Sequence, residues 1–76
     1  MKVVAALWFE SPGAHAENET FRSVQEVLDE FASMRDTWNR YGGSKPVGVI
    51  YHPDSLDYPM YTLEVSDRGA IRKTRA

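Results

Sequence analysis

Residues 2–10 alternate. Val3, Ala5, Leu7 and Phe9 fall on one side of an extended chain, and Lys2, Val4, Ala6, Trp8 and Glu10 on the other. The first set reads as a core face. The second is half apolar, which places this strand inside a sheet with its other side partly covered. Ser11-Pro12-Gly13 breaks the alternation. The polar stretch to Asn18 has the length of a hairpin connection, so Glu19–Arg22 is predicted to return as a short second strand with Phe21 turned inward.

The period then changes. Val24, Val27, Leu28, Phe31, Met34 and Trp38 recur at steps of three and four, with Gln25, Glu26, Asp29, Glu30 and Ser33 between them. This predicts an amphipathic helix from Val24 to about Asn39. Ser23 with Glu26 fits a capping box, in which the serine oxygen accepts from a free backbone N–H and the glutamate reaches back to the cap. Gly42-Gly43 ends the helix, and Arg40 suits the negative end of its dipole. Trp38 is expected as the last core residue, with Tyr41 packing over the helix end.

Alternation resumes at Pro46–His52, with Val47, Val49 and Tyr51 on one face and Gly48, Ile50 and His52 on the other. His52-Pro53-Asp54-Ser55 is a turn cluster and Pro59 closes the loop. Met60–Val65 is the next strand, with Tyr61, Leu63 and Val65 inward. Ser66-Asp67-Arg68-Gly69 reads as a tight hairpin with glycine where φ is positive. Ala70–Lys73 forms the last short strand, with Ile71 inward. The order is β-β-α-β-β-β: an α+β two-layer domain with an antiparallel sheet of four to five strands and one helix on one face. Residues 1–73 form one domain and residues 74–76 are expected to fray. The helical stripe is expected to sit on Val3, Leu7, Val49, Leu63 and Ile71.

Composition adds bounds. The chain has 76 residues, of which 42% are hydrophobic, enough for one small core and too many for a disordered chain. There is no cysteine, which excludes a disulfide scaffold, cysteine-ligated zinc and a thiol nucleophile. The longest apolar run, Val3–Phe9, is far short of the roughly 20 residues that span a bilayer. Lys2 before that run imitates a signal peptide, but the run stops at Glu10 with no small-residue cleavage site, so a cytoplasmic protein without membrane contact is expected. The formal net charge is −2, unevenly spread: residues 1–67 carry eleven acids and five bases, while Arg68, Arg72, Lys73 and Arg75 follow without an acid.

Candidate chemistry is sparse. His52-Pro53-Asp54 matches the tripeptide of co-chaperone J-domains, but strands rather than antiparallel helices flank it, so it reads as a Pro-Asp turn. His52, Asp54 and Asp57 are the one combination with metal or acid–base character. His15 stands alone in a loop. Gly42-Gly43-Ser44-Lys45 follows a helix, where the dipole repels phosphate. No nucleophile, metal spacing or glycine cradle assembles, so an enzyme, a cofactor and a metal are not expected. Arg40 beside Trp38 and Tyr41, together with Arg68, Arg72, Lys73 and Arg75, forms the candidate set for an alternative role in nucleic-acid binding. The acidic body makes nucleic acid the weaker partner class.

The helix opening at Ser23 and Glu26, with Val27-Leu28 and Phe31, the strand Pro46–Tyr51, and the closing hairpin from Leu63-Glu64-Val65 through Asp67-Arg68-Gly69 to Ile71 together resemble the small immunity proteins of actinobacterial toxin systems. The resemblance covers about residues 20–72. It implies a non-enzymatic module that neutralises a toxin by binding it. Small accessory and defence proteins of actinobacterial phages have the same size and texture. No functional residue carries over.

The residues themselves point to a face. Val4, Trp8, Ile50, Met60 and Thr62, with Ala6, are predicted to alternate onto the side of the sheet away from the single helix. An uncovered aromatic and aliphatic patch marks a binding or self-association surface. The expected partner is another protein, with a homodimer through this face as the simplest form.

Overall fold

A computed structural model describes residues 1–76. Its elements are β1 (Val3–Phe9), β2 (Glu19–Phe21), α1 (Val24–Tyr41), β3 (Pro46–His52), β4 (Ser55–Val65) and β5 (Ile71–Arg75). All strands pair antiparallel in one open sheet of order β2-β1-β3-β4-β5, and α1 packs on one face. The architecture is the α+β two-layer fold that the periodicities predict.

Ser23 caps the helix, its Oγ accepting from the Glu26 N–H at 3.2 Å. Glu26 reaches back one residue further than a capping box requires. Its carboxylate accepts from the backbone N–H of Arg22 at 3.4 Å and from Arg22 Nε at 3.0 Å. Gly42, at φ 72°, ends the helix with its N–H donating to the Trp38 carbonyl. Trp38 closes the exit by donating from Nε1 to the Gly43 carbonyl at 3.1 Å. Tyr41 does not pack over this end. It is 76% exposed, because Trp38 and the glycine turn already complete it.

The core is Val3, Ala5, Phe21, Val27, Phe31, Ile50, Leu63 and Val65, with Leu7, Val24, Leu28, Trp38, Met60, Tyr61 and Ile71 packed around it. Two expectations for β3 are corrected here. Ala5 pairs with Ile50 and Ala6 with Val49, so Ile50 shares the helix-side face of Ala5 and Val49 turns to the other. Ile50 is fully buried and Val49 does not seat the helix. Both faces of β3 are apolar, so its alternation alone does not fix which one meets the helix, and a slip of one residue exchanges every side chain. Gly48 then lies on the helix side, where Leu7 and Leu63 close over it. A Cβ at Gly48 would come within 2.5 Å of Leu7 Cδ2.

Two further boundaries move. β4 begins at Ser55, which pairs with His52 across the Pro53-Asp54 turn. The register then shifts twice, so Leu56, Asp57 and Tyr58 bow out between the His52–Ser55 and Tyr51–Pro59 pairs. At the other edge residues 74–76 are not frayed. Thr74 pairs with Thr62, Arg75 with Tyr61, and the Ala76 N–H donates to the Met60 carbonyl at 3.0 Å.

The β4–β5 turn is tied to the helix. Gly69 has φ 85° and donates its N–H to the Ser66 carbonyl at 2.9 Å, while its own carbonyl accepts from Arg35 Nη1 at 2.7 Å. Any side chain at 69 would meet both a left-handed backbone and the Asn39 amide 3.0 Å away.

Truncation separates the two faces. Phe31→Ala and Ile50→Ala are each expected to cost about 2–5 kcal/mol and to lower the urea midpoint with an unchanged slope. Val49→Ala, on the far face, is expected to move that midpoint far less. An Ile50→Ala midpoint equal to that of the unmodified chain would show β3 in the opposite phase.

Candidate functional site

The sheet face opposite α1 has no element packed on it. Register sets Val4 beside Tyr51 and Ala6 beside Val49 and, further along, Trp8 beside Val47; Thr62 pairs with Val49 and Thr74 with Thr62. Val4 and Ala6 are small and buried among these neighbours. The face therefore presents half-buried Trp8, Val47, Val49 and Tyr51, with exposed Thr62 beside them. A shallow groove of about 320 Å³ runs here, walled by Trp8, Val47, Val49 and Thr62, with Glu10 and Glu64 at its rim.

The predicted patch is thus kept in part. Val4, Trp8 and Thr62 lie where alternation put them. Ile50 does not, being sealed beneath the helix. Met60 does not lie free on this face either. It is the extra residue where the pairing steps from Ile50–Tyr61 to Tyr51–Pro59, and it packs against the core. Their places are taken by Val47, Val49 and Tyr51, which the pairing of β3 with β1 turns away from the helix. Gly48 carried the missing signal: a glycine facing Leu7 across two central strands makes room that only a packed face needs.

The cations do not form one surface. Arg72 pairs across from Glu64, on the helix-free face. Lys73 and Arg75 alternate to the helix side, where Lys73 Nζ stands 4.6 Å from the centre of the Tyr61 ring. Arg68 occupies the β4–β5 turn and Arg40 the last turn of α1. Strand alternation divides what looked like a single basic segment.

The structure brings His52 and Asp54 together, with His52 Nδ1 3.9 Å from Asp54 Oδ2, but does not add Asp57 to the pair. The Asp54 N–H donates to His52 Nδ1 at 3.2 Å, which makes His52-Pro53-Asp54 a closed turn, and no group of three potential metal ligands assembles anywhere in the chain. Asp57 lies in the outward bow of β4. His15 is exposed in the β1–β2 loop.

One carboxylate is perturbed. Lys45 Nζ donates to Asp67 Oδ1 at 2.6 Å, and this hydrogen bond, with the charge of the ammonium, holds Asp67 below the ordinary aspartate value. The same ammonium stands 5.5 Å from the centre of the Trp38 ring, so one lysine joins the helix exit to the β4–β5 turn. A depressed folded value means that the pair stabilises above the unfolded aspartate value and that this is lost as pH falls through the folded one. Asp67 is exposed, so solvent screens the effect. Lys45→Met is expected to raise the Asp67 midpoint toward the ordinary value, read from its carboxyl carbon by NMR. An unmoved midpoint would show that the ion pair does not form in solution.

No helix is long and apolar enough to cross a membrane. Comparison with known protein families, with curated proteins and with solved structures finds no match to this chain.

Proposed function

We propose that this chain is a non-catalytic protein-binding module that acts by burying the helix-free face of its sheet against another protein. The observation that carries the proposal is the composition of that face: a tryptophan, two valines and a tyrosine side by side on the two central strands, with no element of the chain packed over them. Such an apolar centre with a polar rim has the anatomy of an interface, and a tryptophan buried there supplies on the order of 2 kcal/mol or more.

A second copy is the first occupant. A two-fold contact needs only one self-complementary patch, and here the rim carries both signs of charge in Glu64 and Arg72. A cognate protein competes for the same patch, which ties the oligomeric state to function. The resemblance of residues 20–72 to immunity-type proteins gives this binding a biological form, the occlusion of a toxin or of a host factor. The alternative of nucleic-acid binding through Arg40, Arg68, Arg72, Lys73 and Arg75 has less support, since those cations are divided between both faces and a turn.

Sedimentation equilibrium in the micromolar range tests the proposal. The unmodified chain is expected to dimerise. Trp8→Glu is expected to sediment as a monomer with little change in its thermal transition, because Trp8 lies outside the helix-side core. A monomeric unmodified chain, or a dimer that survives Trp8→Glu, would remove this face as the interface.

A further inference from the structure

The sheet has a second unfinished feature, at the side of β1 rather than on a face. The Glu10 N–H donates to the Lys45 carbonyl at 3.0 Å, so the even residues of β1 direct their backbone groups toward β3. Alternation in an antiparallel pair then turns the N–H and C=O of Val3, Ala5, Leu7 and Phe9 toward β2. β2 is only three residues long and covers Val3 to Ala5. Beyond it the chain leaves the ladder, and none of the turn or loop backbone hydrogen bonds reaches Leu7 or Phe9. Two residues of a central strand thus hold out unpaired donors and acceptors.

A cavity of about 510 Å³ lies against Leu7, the first of these two residues. Leu7 of β1, Glu30 and Met34 of α1, Glu19 of β2 and the loop residues Ala16 and Glu17 line it. Three carboxylates line it and no cation does. None of the three makes a salt bridge. The arrangement differs from a protected edge. At the opposite side of the sheet β5 carries Arg72, Lys73 and Arg75, the charges with which edge strands resist pairing. The Leu7–Phe9 edge carries no such charge.

We propose that Leu7–Phe9 is a strand-addition site for an extended segment of a partner protein with lysine or arginine at alternate positions. The segment pairs its backbone with Leu7 and Phe9 beyond the end of β2. One of its two side-chain rows then falls on the helix side, into the cavity, where Glu17, Glu19 and Glu30 face its cations. Main-chain hydrogen bonds supply the pairing and the carboxylates select the charge. The site is independent of the Trp8 face, since Trp8 directs its side chain to the helix-free side.

The test uses a blocked synthetic peptide of alternating lysine and valine, with a matched peptide of alternating glutamate and valine. The lysine peptide is expected to bind, to slow hydrogen exchange at the Leu7 and Phe9 amides, and to lose affinity as salt rises; the glutamate peptide is not expected to bind. Phe9→Pro removes one outward donor without breaking the β1–β3 ladder and is expected to weaken binding by about tenfold. Glu30→Lys, on the exposed side of the helix, is expected to weaken it as much while the thermal transition stays in place. Trp8→Glu is expected to leave peptide binding unchanged, so a failed dimer interface and a failed edge are told apart. The proposal is overturned if the lysine peptide does not bind, if both peptides bind alike, or if Phe9→Pro has no effect. It is also overturned if the chain alone forms salt-sensitive oligomers that Phe9→Pro dissolves, because the occupant is then β5 of a second copy.

Discussion

The pairing of β1 with β3 is the constraint on which everything else in this small domain depends. Once Ala5 stands opposite Ile50, the phase of β3 is fixed, and through it that of β4, where Gly48 pairs with Leu63. Ile50, Leu63 and Val65 then share one face with Val3 and Ala5, and Val27 and Phe31 of the helix find a continuous apolar seat. Shifted by one residue, the same strands would offer the helix Val47, Val49 and Tyr51, and Ile50 would face water. Close packing cannot average between the two arrangements. Gly48 favours the observed one, because Leu7 and Leu63 fill the space its missing side chain leaves.

A second constraint is economy. One helix has one apolar stripe, and a sheet has two faces. Seating α1 across β2, β1 and β3 completes a core of eight buried side chains, and no element of residues 1–76 packs on the other side. The helix is also held toward its far end, where Arg35 donates to the Gly69 carbonyl and where Lys45 joins Trp38 to Asp67. These ties run from the end of α1 to the β4–β5 turn.

The two candidate surfaces differ in the physics each would use. The helix-free face offers apolar area with scattered polar groups and suits a flat partner. The Leu7–Phe9 edge offers unpaired backbone groups beside three carboxylates and suits an extended, cationic one. Both come from elements too short to finish the fold: a single helix on a two-sided sheet, and a three-residue β2 beside a seven-residue β1.

The order of elements was legible in the sequence because each is specified locally. Ser23 and Gly42-Gly43 mark the helix limits, the spacing from Val24 to Trp38 sets its face, and Gly69 marks the final hairpin. Val4, Trp8 and Thr62 were placed correctly because β1 and the second half of β4 each have one face more polar than the other. Ile50, Met60 and Val49 were not, for reasons that lie between strands. In β3 both residue sets are apolar, so only pairing with β1 decides which faces the helix. In β4 a register shift at Met60 interrupts an alternation that looks unbroken along the chain. The open edge at Leu7 and Phe9 depends on where β2 leaves the ladder, and the division of the basic segment depends on β5 continuing to Arg75. Local propensity and period, which a sequence carries, determine which elements form. Phase and edge length depend on what lies across the ladder, and tertiary structure alone decides them.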